Sequence, residues 1–146
     1  MRAIVQRVKN TRLCVDGELV SEIPFGLTVF LGVKVEDLKE SADYLAKKIA
    51  NLRIFEDENG KMNKSVLDVG GEVLMVSQFT LYGDASHGNR PSFTLAERPD
   101  RANELYEYAV EVLRGYGVTV KMGVFGADMQ IDAQIDGPIT IYKEIN

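Results

Sequence analysis

The chain has 146 residues, of which 45% are hydrophobic, and its formal net charge at pH 7 is −5. This length is typical of one domain with a core that needs no covalent staple, so we predict a single domain over residues 1–146. The negative charge argues against general binding along a phosphate backbone, although not against recognition of a short nucleic-acid end.

The single cysteine, Cys14, excludes an intramolecular disulfide and is typical of a reducing compartment. Its alternating apolar neighbours predict a buried structural thiol and not a nucleophile. The N-terminus lacks the apolar core of a signal peptide, and no apolar run approaches the ~20 residues of a membrane span. We therefore expect a cytoplasmic protein without a membrane partner.

In chain order, alternation of apolar and polar residues predicts strands over 2–9 and 11–15, followed by a D-G hairpin turn at 16–17. The continuous apolar run from Gly26 to Val33 predicts a buried central strand. From Asp37 to Leu52 the apolar residues fall at steps of three and four, which predicts an amphipathic helix.

The second half begins with a predicted strand from Val73 to Leu81. A second helix is predicted from Pro99 to Gly115, because proline suits a first helical turn and an apolar stripe follows it. The last third alternates again and predicts further strands. The sequence therefore predicts an α/β domain with mixed strand directions, two main helices and more sheet than helix.

The stretch V-S-Q-F-T-L-Y-G-D at 76–84 places the hydroxyls of Ser77 and Thr80 in an apolar run that ends in a turn. A nucleophile there would need a base, yet the run contains no Lys, His or Cys. The single histidine, His87, falls in a glycine-containing loop, and we assign it no role. Two interpretations stay open: a core strand with incidental hydroxyls, or chemistry that needs no protein base.

Gly137 and Pro138 lie between two alternating segments, where proline removes a hydrogen-bond donor from a strand. A hairpin turn is the favoured interpretation, because turns concentrate Gly and Pro. A cis peptide bond is the alternative, but only ~5–6% of X-Pro bonds are cis and composition does not support it.

Four motifs together resemble the D-aminoacyl-tRNA deacylase family: S-Q-F-T-L-Y at 77–82, R-P-S-F at 90–93, G-V-F-G-A-D-M at 123–129 and D-G-P-I-T at 136–140. The resemblance covers nearly the whole chain. It implies a layered β/β/α fold and hydrolysis of the ester that joins a D-amino acid to the 3′ end of tRNA. It also implies a homodimer with each active site at the subunit interface. We expect no cofactor.

The resemblance assigns the catalytic element to Ser77, Gln78, Phe79 and Thr80. It also implies that Gly137 and Pro138 form a cis element, which enters the pocket of the other subunit and selects the chirality of the substrate.

Three weaker candidates complete the predicted site. The resemblance favours Arg7 as an anchor of the interface or the proline loop, with an ordinary surface charge as the alternative. Phe125 and Met129 would pack against the terminal adenine, with core packing as the alternative. One departure stands out, since the family usually has Asn where this chain has Ile135. No spacing of His, Cys and carboxylates predicts a metal site.

The expected chemistry explains the missing base. An aminoacyl ester is already activated, and the neighbouring ribose hydroxyl can assist attack by water. The protein would then supply oxyanion donors, for which the N–H groups of Phe79 and Thr80 are the candidates. We expect the Thr80 hydroxyl to position substrate or water, with a nucleophilic role as the alternative.

Exclusion by clash discriminates better than attraction of a side chain. Carbonyls of Gly137 and Pro138 would block an L side chain, so we expect D-Tyr, D-Phe, D-Asp and glycyl esters all to be cleaved. Two other functions remain open: a non-catalytic dimeric module that holds a nucleotide or an RNA end, and a hydrolase of small D-amino-acid esters or amides.

Overall fold

A computed structural model describes residues 1–145 of the chain. Its two α-helices are α1 (Lys39–Asn51) and α2 (Pro99–Gly115), and a single turn of 3-10 helix covers Phe79–Tyr82. The strands are β1 (Arg2–Val15), β2 (Glu18–Ile23), β3 (Gly26–Gly32), β4 (Phe55–Glu56), β5 (Met62–Lys64), β6 (Glu72–Ser77), β7 (Thr119–Met122) and β8 (Met129–Glu144).

Six strands form one curved sheet in the order β2-β1-β3-β6-β7, and β8 pairs with β1 outside this path. The β3–β6 and β6–β7 pairs are parallel, whereas β1 is antiparallel to β2, β3 and β8. Strand β1 changes partner along its length, because residues 2–8 pair with β3 and residues 11–15 with β2. The predicted mixed sheet with two helices is confirmed.

Two apolar clusters fill the two sides of this sheet. Alternate residues of β6 contribute to each, since Met75 packs with the helices while Leu74 and Val76 pack on the other side. The helix-side cluster includes Leu105 and Leu113 of α2. The opposite cluster contains Val8, Leu13, Ile23, Leu74 and Val76. This arrangement is the layered β/β/α fold that the resemblance implied.

The strand predicted to run to Leu81 ends earlier, at Ser77. Its partner β3 ends at Gly32, so the ladder stops at the Leu31–Ser77 pair and the chain turns into the 3-10 helix. The predicted gap between the first two strands is absent, because β1 is continuous over 14 residues. The D-G hairpin turn is present, with positive φ at both Asp16 and Gly17.

The hairpin turn predicted at Gly137–Pro138 is wrong, because both residues lie inside β8. The peptide bond between them is cis, as the resemblance implied. Opposite β1 the ladder passes from the Val8–Ile135 pair directly to the Gln6–Thr140 pair. Residues 136–139 therefore bulge out of the ladder, which accommodates a proline without a backbone donor.

Two further expectations concern the burial of Cys14 and membrane-spanning helices. Cys14 is half-buried on β1 and carries no disulfide, whereas the sequence predicted a buried thiol. Among residues 1–145, no helix combines the length and the apolar character needed to cross a membrane.

Candidate active site

A cavity of about 800 Å³ opens between the end of β6, the start of α2 and the segment that leads into β8. It brings together six of the nine predicted site residues, which are Ser77, Gln78, Phe79, Thr80, Phe125 and Met129. Residues far apart in the chain thus meet in one place. The cavity has apolar walls and is large enough for an amino acid joined to an adenosine.

The 3-10 helix presents free backbone donors at the edge of this cavity. Gln78 is extended, and its N–H donates to the Leu31 carbonyl at 2.8 Å, which ties the start of the helix to β3. Within residues 1–145, the N–H groups of Phe79 and Thr80 donate to no backbone carbonyl. The first N–H groups of a helix lack internal partners, so these two remain available to an oxyanion.

The side chains of the S-Q-F-T motif supply hydroxyls and an amide but no base. The Thr80 hydroxyl oxygen accepts a hydrogen bond from Gln78 Nε2 at 3.0 Å. His87 lies in the exposed 84–90 loop, where its Nδ1 is 2.9 Å from Ser86 Oγ, and it does not line the cavity. The hydroxyl of Thr80 is therefore placed to contact a ligand but not to lose its proton to a neighbour.

An aromatic pair forms one wall. The rings of Phe79 and Phe93 meet edge to face with centroids 5.2 Å apart, and both side chains remain exposed. Gly83 makes room for this contact, since a Cβ there would lie 3.0 Å from Phe93 Cε1. Elsewhere in the cavity, the Phe125 ring packs against Tyr106 with centroids 6.3 Å apart. Both walls offer apolar faces to a base or a side chain.

The start of α2 also lines the cavity, although no local sequence signal indicated this. Residues Glu97 and Arg98 precede the helix, and Pro99 begins it. Glu97 is bound by Arg101, whose Nε lies 3.5 Å from its carboxylate. Among the described residues that line the cavity, Arg98 is the one with a cationic side chain. Among residues 1–145 no cluster of three or more His, Cys, Asp or Glu could hold a metal ion.

Gly137, Pro138 and Arg7 do not line this cavity. Arg7 lines a smaller pocket of about 240 Å³ together with Phe55, Glu56 and Asp136. The Arg7 side chain is buried, donates from Nη1 to the Ile54 carbonyl at 2.8 Å, and places Nε 3.3 Å from Asp136 Oδ2. Arg7 thus supports the bulge of β8, whereas Gly137 and Pro138 are exposed on its surface.

Comparison with known proteins agrees with this geometry. The family model for D-Tyr-tRNA(Tyr) deacylase matches residues 4–144. The chain belongs to this family. The D-aminoacyl-tRNA deacylases of Bacillus cytotoxicus and Bacillus cereus are each 54% identical to it over 144 residues, which cover 99% of both chains. The prediction of a hydrolase of this family is confirmed.

Solved structures agree as well. A c-Myc DNA unwinding element binding protein superposes with a TM-score of 0.94 at 43% identity, covering 100% of this chain and 99% of the other. A probable eukaryotic D-amino acid tRNA deacylase superposes with a TM-score of 0.85 over 99% and 98% of the two chains. The second likeness, at 17% identity, concerns the fold alone.

Proposed function

We propose that the protein hydrolyses the ester bond of D-aminoacyl-tRNA and releases the free amino acid and tRNA. The observation that carries the proposal is the cavity edge formed by the S-Q-F-T motif, where the N–H groups of Phe79 and Thr80 donate to no backbone carbonyl among residues 1–145 and the motif itself supplies no base. The 3′-terminal adenosine and its amino acid are the part of tRNA that such a cavity can take.

The proposed reaction starts from an ester that needs little activation. The carbonyl oxygen lies against the N–H groups of Phe79 and Thr80, each of which stabilises the developing negative charge by roughly 2.7–4 kcal/mol. The vicinal ribose hydroxyl accepts a proton from the attacking water and passes its own proton to the leaving oxygen of the same ribose. The bond from the carbonyl carbon to water forms and the ester C–O bond breaks. The Thr80 hydroxyl, held by Gln78, orients water or the substrate amine without forming a covalent bond.

Selection against L-amino acids is proposed to come from a second copy of the chain. Gly137 and Pro138 are exposed on β8, outside the cavity of their own subunit. The same strand exposes 39% of Ile135 and 55% of Tyr142, which favours an apolar contact with a partner. In the homodimer the carbonyls of Gly137 and Pro138 would face the substrate α-carbon and clash with an L side chain.

This mode of selection predicts a broad range of substrates. A D side chain would point into solvent, so the enzyme would cleave D-Tyr, D-Phe and D-Asp esters at similar rates. Glycine has no side chain to clash, and glycyl-tRNA would therefore also be hydrolysed. A strong preference for a single D-amino acid would contradict the proposed gate.

A nucleic-acid-binding function without catalysis is the second candidate, because one solved relative is named as a DNA unwinding element binding protein. The net charge of −5 argues against it, since extended contacts to a phosphate backbone need a basic surface. An apolar cavity with oxyanion donors also suits an ester better than a duplex.

The deciding measurement is amino-acid release from D-Tyr-tRNA, L-Tyr-tRNA and Gly-tRNA, with free D-Tyr methyl ester alongside. We expect rapid release from the D and glycyl substrates and little from the L substrate. Slow cleavage of the methyl ester would support an enzyme that acts on tRNA and would argue against a hydrolase of small esters. Absence of release with retained RNA binding would favour the second candidate. Light scattering that shows only a 16.2 kDa monomer would contradict the shared site.

A further inference from the structure

The 3-10 helix that carries Phe79 and Thr80 is only a single turn. The Leu81 N–H reaches the Gln78 carbonyl only at 3.4 Å, although the Gly83 N–H donates to the Thr80 carbonyl at 2.9 Å. The Gln78 side chain makes no capping hydrogen bond. A single turn with such bonds needs support from elsewhere to hold its N–H groups in one direction.

Arg2 provides that support from the first strand. Its Nη1 donates to the Leu81 carbonyl at 2.7 Å, and its guanidinium carbon lies 4.3 Å from the centroid of the Tyr82 ring. One planar group therefore contacts both of the last two residues of the 3-10 helix. A charged donor forms a stronger hydrogen bond than a neutral one, and stacking over the ring fixes its plane.

Arg2 is itself held by β8. Its Nε donates to the Glu144 carboxylate, and the two residues are directly opposite in the β1–β8 ladder. The Tyr142 hydroxyl also donates to Glu144 Oε2 at 2.9 Å. Arg2 and Glu144 are each 28% exposed, so solvent weakens this pair only in part. The guanidinium thus has one orientation, set by a carboxylate on one side and a carbonyl on the other.

We infer that Arg2 is a positioning residue, which holds the 3-10 helix so that the N–H groups of Phe79 and Thr80 point into the cavity, and that Glu144 orients Arg2. This inference rests on the proposed function of those N–H groups. Arg2 does not line the cavity, so a substrate bound there would not contact it. It acts through Leu81 and Tyr82, and displacement of a reacting group by about 1 Å can cost 10²-fold in rate.

A cross-strand ion pair at the other end of β1 gives a matched control. Arg12 faces Glu22 of β2 in the ladder, with Nε 3.8 Å from Glu22 Oε1, and this is its ion-pair partner among residues 1–145. We expect Arg2→Met to lower kcat for D-Tyr-tRNA by about 10- to 100-fold with KM within about 3-fold, because only the transition state uses the oxyanion donors. Arg12→Met should leave both constants unchanged.

Conservative variants sharpen the test. Arg2→Lys keeps the charge but can reach only one of its two partners, so its kcat should be intermediate. Glu144→Gln keeps the acceptor and loses the charge, and should lower kcat by about 3- to 10-fold. If the two residues act as a unit, the double variant Arg2→Met/Glu144→Gln will match Arg2→Met alone. Equal kcat values for Arg2→Met and Arg12→Met would overturn the inference.

Amide NMR separates this inference from the proposed function. In Arg2→Met the signals of Phe79, Thr80 and Leu81 should shift and broaden, while those of residues beside Arg12 stay unchanged. Wild-type protein that releases no amino acid would refute the proposed function, and the NMR result would still decide whether Arg2 holds the helix. If Arg2→Met does not fold, Glu144→Gln decides instead, and wild-type kcat in that variant would overturn the inference.

Discussion

The 3-10 helix follows the end of a strand and the bulge at residues 136–139 interrupts one, and the two regions are supported in different ways. The 3-10 helix follows the buried residues of β6 and packs closely on β3, where a Cβ on Gly32 would lie 3.0 Å from Leu81 Cβ. The bulge lies on the exposed strand β8, with the single buried Arg7 side chain behind it. One region faces a cavity of its own subunit, and the other faces outward.

This difference matches what each region has to do in the proposed reaction. Oxyanion donors are effective only when they are fixed relative to the ester, so they belong on a segment anchored in the core. Steric exclusion of an L side chain needs a rigid surface that clashes with it, but it needs no reactive group. Such a surface can therefore be supplied from an exposed strand by a second subunit.

The largest expected effect comes from removing one N–H from the core-anchored region. Phe79 is the first residue of the 3-10 helix and follows an extended Gln78, so proline fits there. Phe79→Pro removes both the N–H and the ring, whereas Phe79→Ala removes the ring alone. We expect kcat for D-Tyr-tRNA to fall about 10²- to 10³-fold further in the proline variant than in the alanine variant.

Steady-state kinetics of the two variants gives the contribution of the N–H by difference. Equal kcat values would mean that this N–H is not an oxyanion donor. The N–H of Thr80 would then be the one remaining candidate oxyanion donor. The claim that the core-anchored region is rigid because it holds two oxyanion donors would fail.

The next effect is on the stability of the folded protein, through a hydrogen bond between α2 and β6. The Tyr106 hydroxyl donates to the Met75 carbonyl of β6 at 2.7 Å, and burial raises the pKa of Tyr106 to about 12. The unfolded phenol loses its proton near pH 10, so the folded state holds the proton more tightly between pH 10 and 12 and stability falls as pH rises. This loss amounts to about 2–3 kcal/mol, roughly half of it by pH 11.

Urea unfolding of wild type and Tyr106→Phe at pH 8 and pH 11 checks this sign. The Phe variant should be about 1 kcal/mol less stable at pH 8, because the Met75 carbonyl loses its donor. It should then lose less stability than wild type on going to pH 11. Tyr116→Phe, at a position 40% exposed, is the control and should behave as wild type. An equal alkaline loss in all three proteins would contradict the assignment.

Sequence patterns predicted most of the fold and less of the site. Periodicity placed α2 at its observed bounds, because its apolar stripe is long and uninterrupted. The end of β6 was missed, since Phe79 is apolar yet 55% exposed and only the end of the neighbouring strand stops the ladder. The bulge in β8 was also missed, because a Gly-Pro pair in a sequence looks the same in a turn and in a bulge.

The cavity itself could not be predicted from local pattern. Its walls come from β6, the start of α2 and the 125–131 segment, and these meet only through the sheet order. The motifs identified Ser77 to Thr80 and Phe125 by resemblance, but nothing in the local sequence indicated that Glu97 and Arg98 would lie beside them. Tertiary contacts of this kind are set by topology and not by composition.

Gly137→Ala acts on the exposed region and comes next in size. Gly137 has φ of +118°, and a Cβ there would lie 2.7 Å from Ile139 Cγ1 and 3.2 Å from Arg7 Nη2. Strain of this kind costs of order 1–3 kcal/mol, so we expect D-Tyr-tRNA hydrolysis or its selectivity to fall about 5- to 150-fold. Gly17→Ala, at positive φ with open space around it, should leave the enzyme unaffected.

Mixing Gly137→Ala with Phe79→Pro tests whether the two regions belong to different subunits. A heterodimer would contain one site with both regions intact and one with both altered. If Gly137→Ala lowers hydrolysis itself to near zero, random exchange of subunits should therefore restore about a quarter of wild-type activity. Activity that stays at the mean of the two homodimers after exchange, which mass spectrometry can verify, would place both regions in one subunit.

The smallest expected effect is at Ile135, where the family usually has Asn. Ile135 is 39% exposed, pairs with Val8 of β1, and immediately precedes Asp136, the partner of Arg7. An amide here could satisfy backbone groups that leave the ladder at the bulge, and one such hydrogen bond is worth about 0.5–1.5 kcal/mol. Ile135→Asn should therefore raise the ratio of D-Tyr to L-Tyr release about 2- to 10-fold, with Ile135→Leu as the apolar control. If both variants match wild type, Arg7 alone is sufficient to hold the bulge. The bulge then depends on this buried side chain from β1 more than on the side chains of β8.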